Sequence, residues 1–145
     1  MFRNVLLLVL GGAAYCQSSN QTTHQLAGCY EVSSLAWEPP NEAIKVIPQR
    51  LELQLQNDPK WKTFAIRSLV PGEGDDFKPE TFWSWKPKGA NKIGISFGTG
   101  LGGFRGVLRK SKDGDLIGKL KEWCDSRCGY KKRIGMIQLR KIRCE

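Results

Sequence analysis

The residue types that carry out acid–base and nucleophilic catalysis are scarce in this 145-residue chain, which contains one histidine, His24. His24 lies in a polar segment ahead of the first strand-like pattern, so a Ser–His–Asp arrangement inside a folded domain is not expected. Two carboxylates could act as an acid and a base, but the sequence distinguishes no such pair. We therefore expect no catalytic residues, no enzymatic activity and no cofactor.

Two further motifs resemble ligand sites but lack the context that those sites need. Residues 98–103, GTGLGG, match the Gly-x-Gly-x-x-Gly pattern of dinucleotide-binding proteins, which must open a helix within a βαβ unit. The residues that follow, 104–108, read as another strand, so a hairpin loop is expected instead. Glu73, Asp75 and Asp76 could bind calcium, but they lack the spacing of known calcium loops and predict a solvated acidic loop.

The cysteines indicate an oxidising compartment. Cys29, Cys124, Cys128 and Cys144 follow the N-terminal leader, and an even number in a short exported chain predicts two disulfides with three possible pairings. Cys29 lies in the first predicted strand and Cys144 at the end of the last, so a closed barrel would join them across its seam. Cys124 and Cys128 would then close a small loop. With one histidine available, no metal site is expected.

Residues 1–16 predict a secretory signal peptide, with one positive charge, an apolar run at 5–10 and small residues at 11–14. The apolar run is too short to span a bilayer as a helix. Cys16 follows the small residues and is a lipidation candidate, although Tyr15 departs from the usual lipoprotein pattern. Ordinary cleavage in this region is the alternative. Either outcome places the protein outside the cytoplasm, as a secreted, periplasmic or lipid-anchored chain.

Residues 17–25 are polar and predict a flexible tail, and residues 26–145 are long enough for one domain. No segment of that domain has a convincing helical period. Short strand-like segments separated by turn residues predict an all-β fold, a single antiparallel up-and-down β-barrel of about eight strands. The predicted strands are 26–35, 50–56, 61–70, 81–86, 92–97, 104–110, 116–123 and 134–144.

Positive charge is concentrated near the C-terminus. Residues 17–104 contain nine basic and nine acidic side chains, whereas residues 105–145 contain thirteen basic and five acidic ones. Such a surface can attract an anionic surface or polyanion, and Lys131, Lys132 and Arg133 are the candidate contacts. Alternatively, these side chains form a solvated strand face that discourages edge pairing. No specific recognition of nucleic acid is expected.

Two segments at the ends of the domain resemble the lipocalin family. Gly28-Cys29-Tyr30 is similar to the lipocalin Gly-x-Trp signature with tyrosine in place of tryptophan, and residues 139–143, LRKIR, resemble the end of the last lipocalin strand. The resemblance implies an eight-stranded barrel that is closed where Tyr30 meets Arg140 or Arg143. It also implies that the other end is open to a small apolar ligand.

Aromatic and aliphatic side chains that share strand faces could line such a pocket. The pocket candidates are Tyr30, Phe64, Trp83, Trp85, Ile95 and Phe97. The function expected first is binding of a small hydrophobic or amphipathic ligand outside the cytoplasm. The alternative is a structural or interaction module of the cell envelope, whose basic late strands contact an anionic partner.

Overall fold

The computed structural model describes residues 21–38, 47–58, 60, 62–73, 83–98, 101–125 and 132–145. These residues form eight β-strands: β1 (Gly28–Glu38), β2 (Arg50–Asp58), β3 (Thr63–Ser68), β4 (Trp83–Pro87), β5 (Lys92–Gly98), β6 (Gly102–Lys110), β7 (Leu116–Cys124) and β8 (Ile134–Ile142). Several predicted features lie outside the described residues: the signal peptide, the lipidation candidate Cys16, the predicted disulfide partner Cys128 and the candidate anion contact Lys131.

The strands form a closed antiparallel barrel in which each pairs with the next and β8 pairs with β1. The predicted up-and-down barrel is confirmed. Its strands could be predicted because apolar and polar side chains alternate along them, and successive side chains of a strand point to opposite faces of the sheet. In β5, Ile93, Ile95 and Phe97 are buried inside, and in β2, Leu51 and Leu53 are buried in the same way.

The glycine-rich motif lies between two paired strands, as expected from the sequence. Gly98 is the last residue of β5 and pairs with Gly103 of β6, so the segment connects a hairpin. No helix follows it, since β6 runs from Gly102 to Lys110. A dinucleotide fingerprint requires a helix at this point.

A short helix over residues 21–26 precedes β1 and lies at one end of the barrel, named here the helix end. Leu26 is buried in the core, and the hydroxyl of Tyr30 donates a hydrogen bond to the carbonyl oxygen of Leu26 over 2.8 Å. These residues belong to the segment for which the sequence predicted a flexible tail and the start of the first strand. The apolar side chain of Leu26 and the Tyr30 hydroxyl hold the helix to the barrel.

The opposite end of the barrel is named here the loop end, because it carries the β1–β2, β3–β4, β5–β6 and β7–β8 connections. β1 reaches this end through an irregularity between Val32 and Ser34, where the pairing with β8 shifts by one residue. The sequence predicted that this strand stops at Leu35. Its continuation to Glu38 pairs Trp37 with Gly135 and packs Trp37 against the core.

The predicted Cys29–Cys144 disulfide is confirmed, with 5.3 Å between the two Cα atoms. Cys29 pairs in register with Ile142 at the end of β8, so the bridge lies across the seam between the first and last strands. Cys124 is also disulfide-bonded. Within the described ranges, no helix has the length and apolar character needed to cross a membrane.

Candidate functional site

The structure divides the six pocket candidates between the two ends of the barrel. Trp83 and Phe97 lie toward the loop end, where their rings meet edge to face at a centroid distance of 5.7 Å. Tyr30, Phe64, Trp85 and Ile95 lie nearer the helix end, where Trp85 pairs in register with both Phe64 and Ile95. Five of the six are buried and Phe64 is partly buried. All six belong to or pack against one core cluster.

The two tryptophans of β4 differ in the hydrogen bonding of their indole nitrogens. Trp85 Nε1 donates to the carbonyl oxygen of Gln54 over 2.9 Å. Gln54 lies in the part of β2 where the pairing with β3 is interrupted between Leu53 and Asn57, so its carbonyl is available to a side chain. Trp83 is 1% exposed, and its Nε1 has no hydrogen-bond partner among the described residues. A buried donor of this kind carries a desolvation cost.

Two described aromatic residues that belong to or pack against the core at the loop end were not among the candidates predicted from the sequence. Trp37 and Phe104 lie with ring centroids 4.4 Å apart, and Phe104 pairs in register with Phe97. Trp37 was missed because the Pro39-Pro40 pair suggested that the strand had already ended. Phe104 stands at the start of a correctly predicted strand, and its inward direction follows from the alternation Phe104, Gly106, Leu108.

One ion pair also lies at the loop end. Glu122 of β7 pairs in register with Phe104, and its side chain is only 9% exposed. Arg133 Nη1 lies 3.3 Å from Glu122 Oε1, and the backbone amide of Arg133 donates to Glu122 Oε2 over 3.0 Å. The sequence singled out Arg133 as a contact for an anionic partner, but its guanidinium is paired within the protein. Lys132 is exposed.

The cation near Tyr30 differs from the expectation based on the lipocalin resemblance. Tyr30 pairs in register with Lys141, and Lys141 Nζ lies 5.8 Å from the centre of the tyrosine ring. Arg140 is paired with Glu31, so its side chain points outward and forms an ion pair with the Glu31 carboxylate. The resemblance implied that Tyr30 meets Arg140 or Arg143; Arg140 does not meet it, because neighbouring residues of a strand face opposite sides.

Burial changes the acid–base properties of the two residues at this contact. Burial, and to a smaller extent the negative charge of Asp115, raises the pKa of Tyr30 to about 12. Burial and then the positive charge of Lys110 lower the pKa of Lys141. Lys141 Nζ also donates to the carbonyl oxygen of Gln25 over 3.0 Å, which ties the end of β8 to the short helix.

Cationic side chains cover the outer surface of β4–β7, named here the basic face. Glu122 is the only acidic residue in these four strands, and it faces inward. No cation of the basic face forms an ion pair with a described residue. All are exposed except Lys92, which is half-buried. The basic face consists of Lys86, Lys88, Lys92, Arg105, Arg109, Lys119 and Lys121.

Register places several of these cations side by side. Lys92 pairs with Arg109 across β5 and β6, and Arg105 pairs with Lys121 across β6 and β7. Like charges opposite one another in a sheet repel. Aliphatic side chains lie among them or beside them on β8 and are 38–45% exposed. These are Val107, Ile117, Ile134 and Met136.

One group of three possible metal ligands occurs in the described part of the chain: Cys29, Cys144 and Glu52. Both sulfur atoms are joined in the disulfide, so neither is a thiolate. The carboxylate of Glu52 lies 2.8 Å from Arg67 Nη2. Cys29 and Cys144 therefore form a structural disulfide, and Glu52 forms an ion pair beside it.

The acidic loop predicted from the sequence is described only in part. Both oxygens of the Glu73 carboxylate accept from the backbone amide of Gln49, at 3.3 and 3.2 Å, and one accepts from the Ser68 hydroxyl over 3.2 Å. Glu73 therefore fastens the β3–β4 connection to the residue before β2. Asp75 and Asp76 lie outside the described residues.

Comparison of the chain with protein-family models, with curated proteins and with solved structures finds no match. The closed eight-stranded barrel is compatible with a lipocalin-like fold.

Proposed function

We propose that this protein is an extracytoplasmic β-barrel that binds an anionic partner through its basic face. The observation that carries the proposal is the set of seven exposed or half-exposed cations on β4–β7, where none of the described acidic side chains lies on the same outer surface. The Cys29–Cys144 disulfide supports an oxidising, extracytoplasmic compartment. The predicted signal peptide at residues 1–16 supports the same location.

The arrangement of the charges favours a partner over a purely solubilising role. A solubilising surface works best when both signs are interspersed, since a large field of one sign carries self-repulsion. Here three of the described acidic side chains pair with cations elsewhere: Glu31 with Arg140, Glu52 with Arg67 and Glu122 with Arg133. The cations left on the basic face retain their full attraction for an external anion.

The test is salt-dependent retention on immobilised heparin, used as a general polyanion. We expect the wild-type protein to elute at high salt, because displacing counterions makes such binding steeply salt-dependent. Lys119→Gln combined with Lys121→Gln should elute at clearly lower salt. The matched control, Lys112→Gln combined with Arg143→Gln, removes the same charge away from the outer surface of β7 and should elute close to wild type. Equal shifts for the two double variants would contradict the proposal, since they would indicate a response to net charge alone.

A second candidate function is binding of a small hydrophobic or amphipathic ligand at the loop end, as in a lipocalin-like barrel. The observation in its favour is the buried Trp83 Nε1, a donor without an acceptor among the described residues. Trp37, Phe97 and Phe104 supply aromatic surface beside it. A ligand oxygen that accepted from Trp83 Nε1 would remove the cost of the unpaired donor.

The second candidate is tested by titrating fatty and aromatic probes while recording tryptophan fluorescence. Trp83→Phe keeps an aromatic ring and deletes the free N–H, and we expect it to weaken binding about tenfold or more. Trp85→Phe deletes an N–H that already donates to Gln54, and it should leave the affinity for the probe nearly unchanged. Absence of saturable binding to the wild-type protein would exclude this function.

A further inference from the structure

A shallow groove runs across the outer surface of β4, β5 and β6 and forms part of the basic face. Its volume is about 510 Å³, within the range of roughly 300–1,000 Å³ that small-molecule sites occupy. Small residues form its floor, and long cationic side chains stand at its sides. The lining residues are Thr63, Ser84, Trp85, Lys86, Lys88, Gly94, Ile95, Ser96, Arg105, Gly106 and Val107.

The floor lies below the neighbouring cationic side chains because the outward positions of β4 and β5 beneath it carry small residues. Ser84 of β4 pairs in register with Ser96 of β5, and Gly94 is the next outward residue of β5. Thr63 of β3 contributes a third hydroxyl to the lining. A hydroxyl group can donate to an anionic oxygen and can also exchange hydrogen bonds with a sugar hydroxyl.

The glycine at position 94 leaves room for a lysine side chain. A Cβ atom at Gly94 would lie 3.0 Å from Cε and 3.6 Å from Cδ of Lys88, and 3.7 Å from Cγ of Lys86. The aliphatic part of Lys88 therefore lies on Gly94, which is buried beneath it. This contact holds the Lys88 ammonium group beside the groove, with its stem on the strand and its charge in solvent.

Three cations line the groove, and the described lining contains no acidic residue. Lys86 and Lys88 stand over β4 and β5, and Arg105 of β6 pairs in register with Ser96 at the floor. Together they place positive charge on both sides of a recess that contains hydroxyl groups. The rest of the basic face continues from β6 to β7 through Arg109, Lys119 and Lys121.

We propose that this groove binds a sulfated or carboxylated sugar unit of an acidic polysaccharide; this inference rests on the function proposed for the basic face. Arg105 matches the planar geometry of a sulfate or carboxylate group, and the two lysines provide point charges for a neighbouring group. The hydroxyls of Ser84, Ser96 and Thr63 match the hydroxyls of a sugar ring. The cations beyond the groove would bind further acidic groups along the same chain.

A polysaccharide fits this surface better than a lipid bilayer does. The polar floor lies below the surrounding Lys86, Lys88 and Arg105 side chains, and a bilayer would meet those side chains first. Repeated acidic groups on one flexible polymer can reach both the recess and the outlying cations. The groove residues then determine where the chain is held, and the outlying cations add salt-dependent affinity.

The experiment is a titration of the ¹⁵N-labelled protein with a heparin-derived hexasaccharide, with affinities measured by calorimetry. We expect the largest amide shifts at Ser84, Gly94, Ser96 and Gly106. Lys88→Gln combined with Arg105→Gln should weaken binding at least tenfold. Lys119→Gln combined with Lys121→Gln, which removes equal charge outside the groove, should weaken it by a smaller factor. A neutral maltohexaose should produce no shifts at these positions.

The outcomes separate the groove from the proposed function. If heparin retention depends on Lys119 and Lys121 but the hexasaccharide shifts map outside the groove, the groove assignment is overturned and the basic-face function stands. If neither heparin nor the hexasaccharide binds, both fail. If anionic phospholipid vesicles bind through these residues and the hexasaccharide does not, the polysaccharide assignment is wrong.

Gly94→Ala gives an independent check: displacement of Lys88 should weaken hexasaccharide binding while the thermal unfolding remains cooperative.

Discussion

Lys141 Nζ lies 5.8 Å from the centre of the Tyr30 ring, where β1 and β8 meet at the helix end of the barrel. The same tyrosine donates its hydroxyl hydrogen to the carbonyl oxygen of Leu26, and Lys141 donates to the carbonyl oxygen of Gln25. The pair therefore joins the barrel seam to the short helix. The Cys29–Cys144 bridge crosses that seam beside it.

The raised pKa of Tyr30 predicts a loss of stability at alkaline pH. The folded state retains the phenolic proton up to about pH 12, whereas the unfolded chain releases it near the usual value of about 10. The stabilisation is thus fully present below pH ~10 and is lost as pH rises toward ~12, by about 2–3 kcal/mol. Urea unfolding of the wild type and Tyr30→Phe between pH 8 and 12 measures it. The difference between the two proteins should shrink over this range, and a constant difference would contradict the prediction.

Removing the seam disulfide should cost about 3–5 kcal/mol of unfolding free energy, because the bridge closes a loop of more than a hundred residues. The bridged cysteines are 115 positions apart in the chain. Cys29→Ala combined with Cys144→Ala is compared with wild type by urea unfolding. Cys124→Ser combined with Cys128→Ser, which removes a predicted bridge around a much shorter loop, should cost only about 2 kcal/mol. Peptide mapping without reduction that joined Cys29 to Cys124 would refute the seam assignment.

Gly135 is expected to be intolerant of a side chain because Trp37 occupies the space beside it. A Cβ atom at position 135 would lie 2.5 Å from Cζ3 of the Trp37 ring. Gly135→Ala should therefore displace the ring from Phe104 and destabilise the protein by about 1–3 kcal/mol. Gly94→Ala is the matched control, since its nearest neighbour is the flexible end of Lys88. Near-ultraviolet circular dichroism should change for Gly135→Ala and remain close to wild type for Gly94→Ala.

The ion pair at the loop end should matter more to stability than an ion pair on the surface. Arg133→Gln leaves the Glu122 carboxylate, 9% exposed, without its guanidinium partner, and we expect a cost of about 1–3 kcal/mol. Arg67→Gln breaks the contact with Glu52, in which the arginine side chain is 61% exposed, and should cost less than about 1 kcal/mol. Both variants remove one positive charge, so thermal unfolding compares them directly. Similar losses would show that burial does not strengthen the Glu122–Arg133 pair.

The cations of the basic face are not the same set as the basic residues that the sequence showed to be in excess. The sequence located the excess charge correctly in the C-terminal third, and Arg105, Arg109, Lys119 and Lys121 belong to it. It did not indicate that Lys86, Lys88 and Lys92 lie on the same surface. Those lysines come from a part of the chain in which the charges balance, and they join the face because β4 and β5 lie beside β6 in the barrel.

The amino-acid sequence by itself determined the number and order of the strands, the barrel class and the Cys29–Cys144 pairing. Alternation along a strand is a local property, and the turn residues between strands are local too, so both can be read without knowing which strand pairs with which. The order of the strands in an up-and-down barrel then fixes that the first and the last are neighbours, and this brings the two cysteines together.

Only the tertiary structure decided the register across the seam. The irregularity between Val32 and Ser34 extends β1 to Glu38 and brings Trp37 inside, and the pairing of β1 with β8 places Lys141 rather than Arg140 at Tyr30. A register depends on hydrogen bonds between residues a hundred positions apart, and a shift by one residue exchanges the inner and outer faces. The ion pair of Arg133 and the groove between Lys88 and Arg105 depend in the same way on packing between strands.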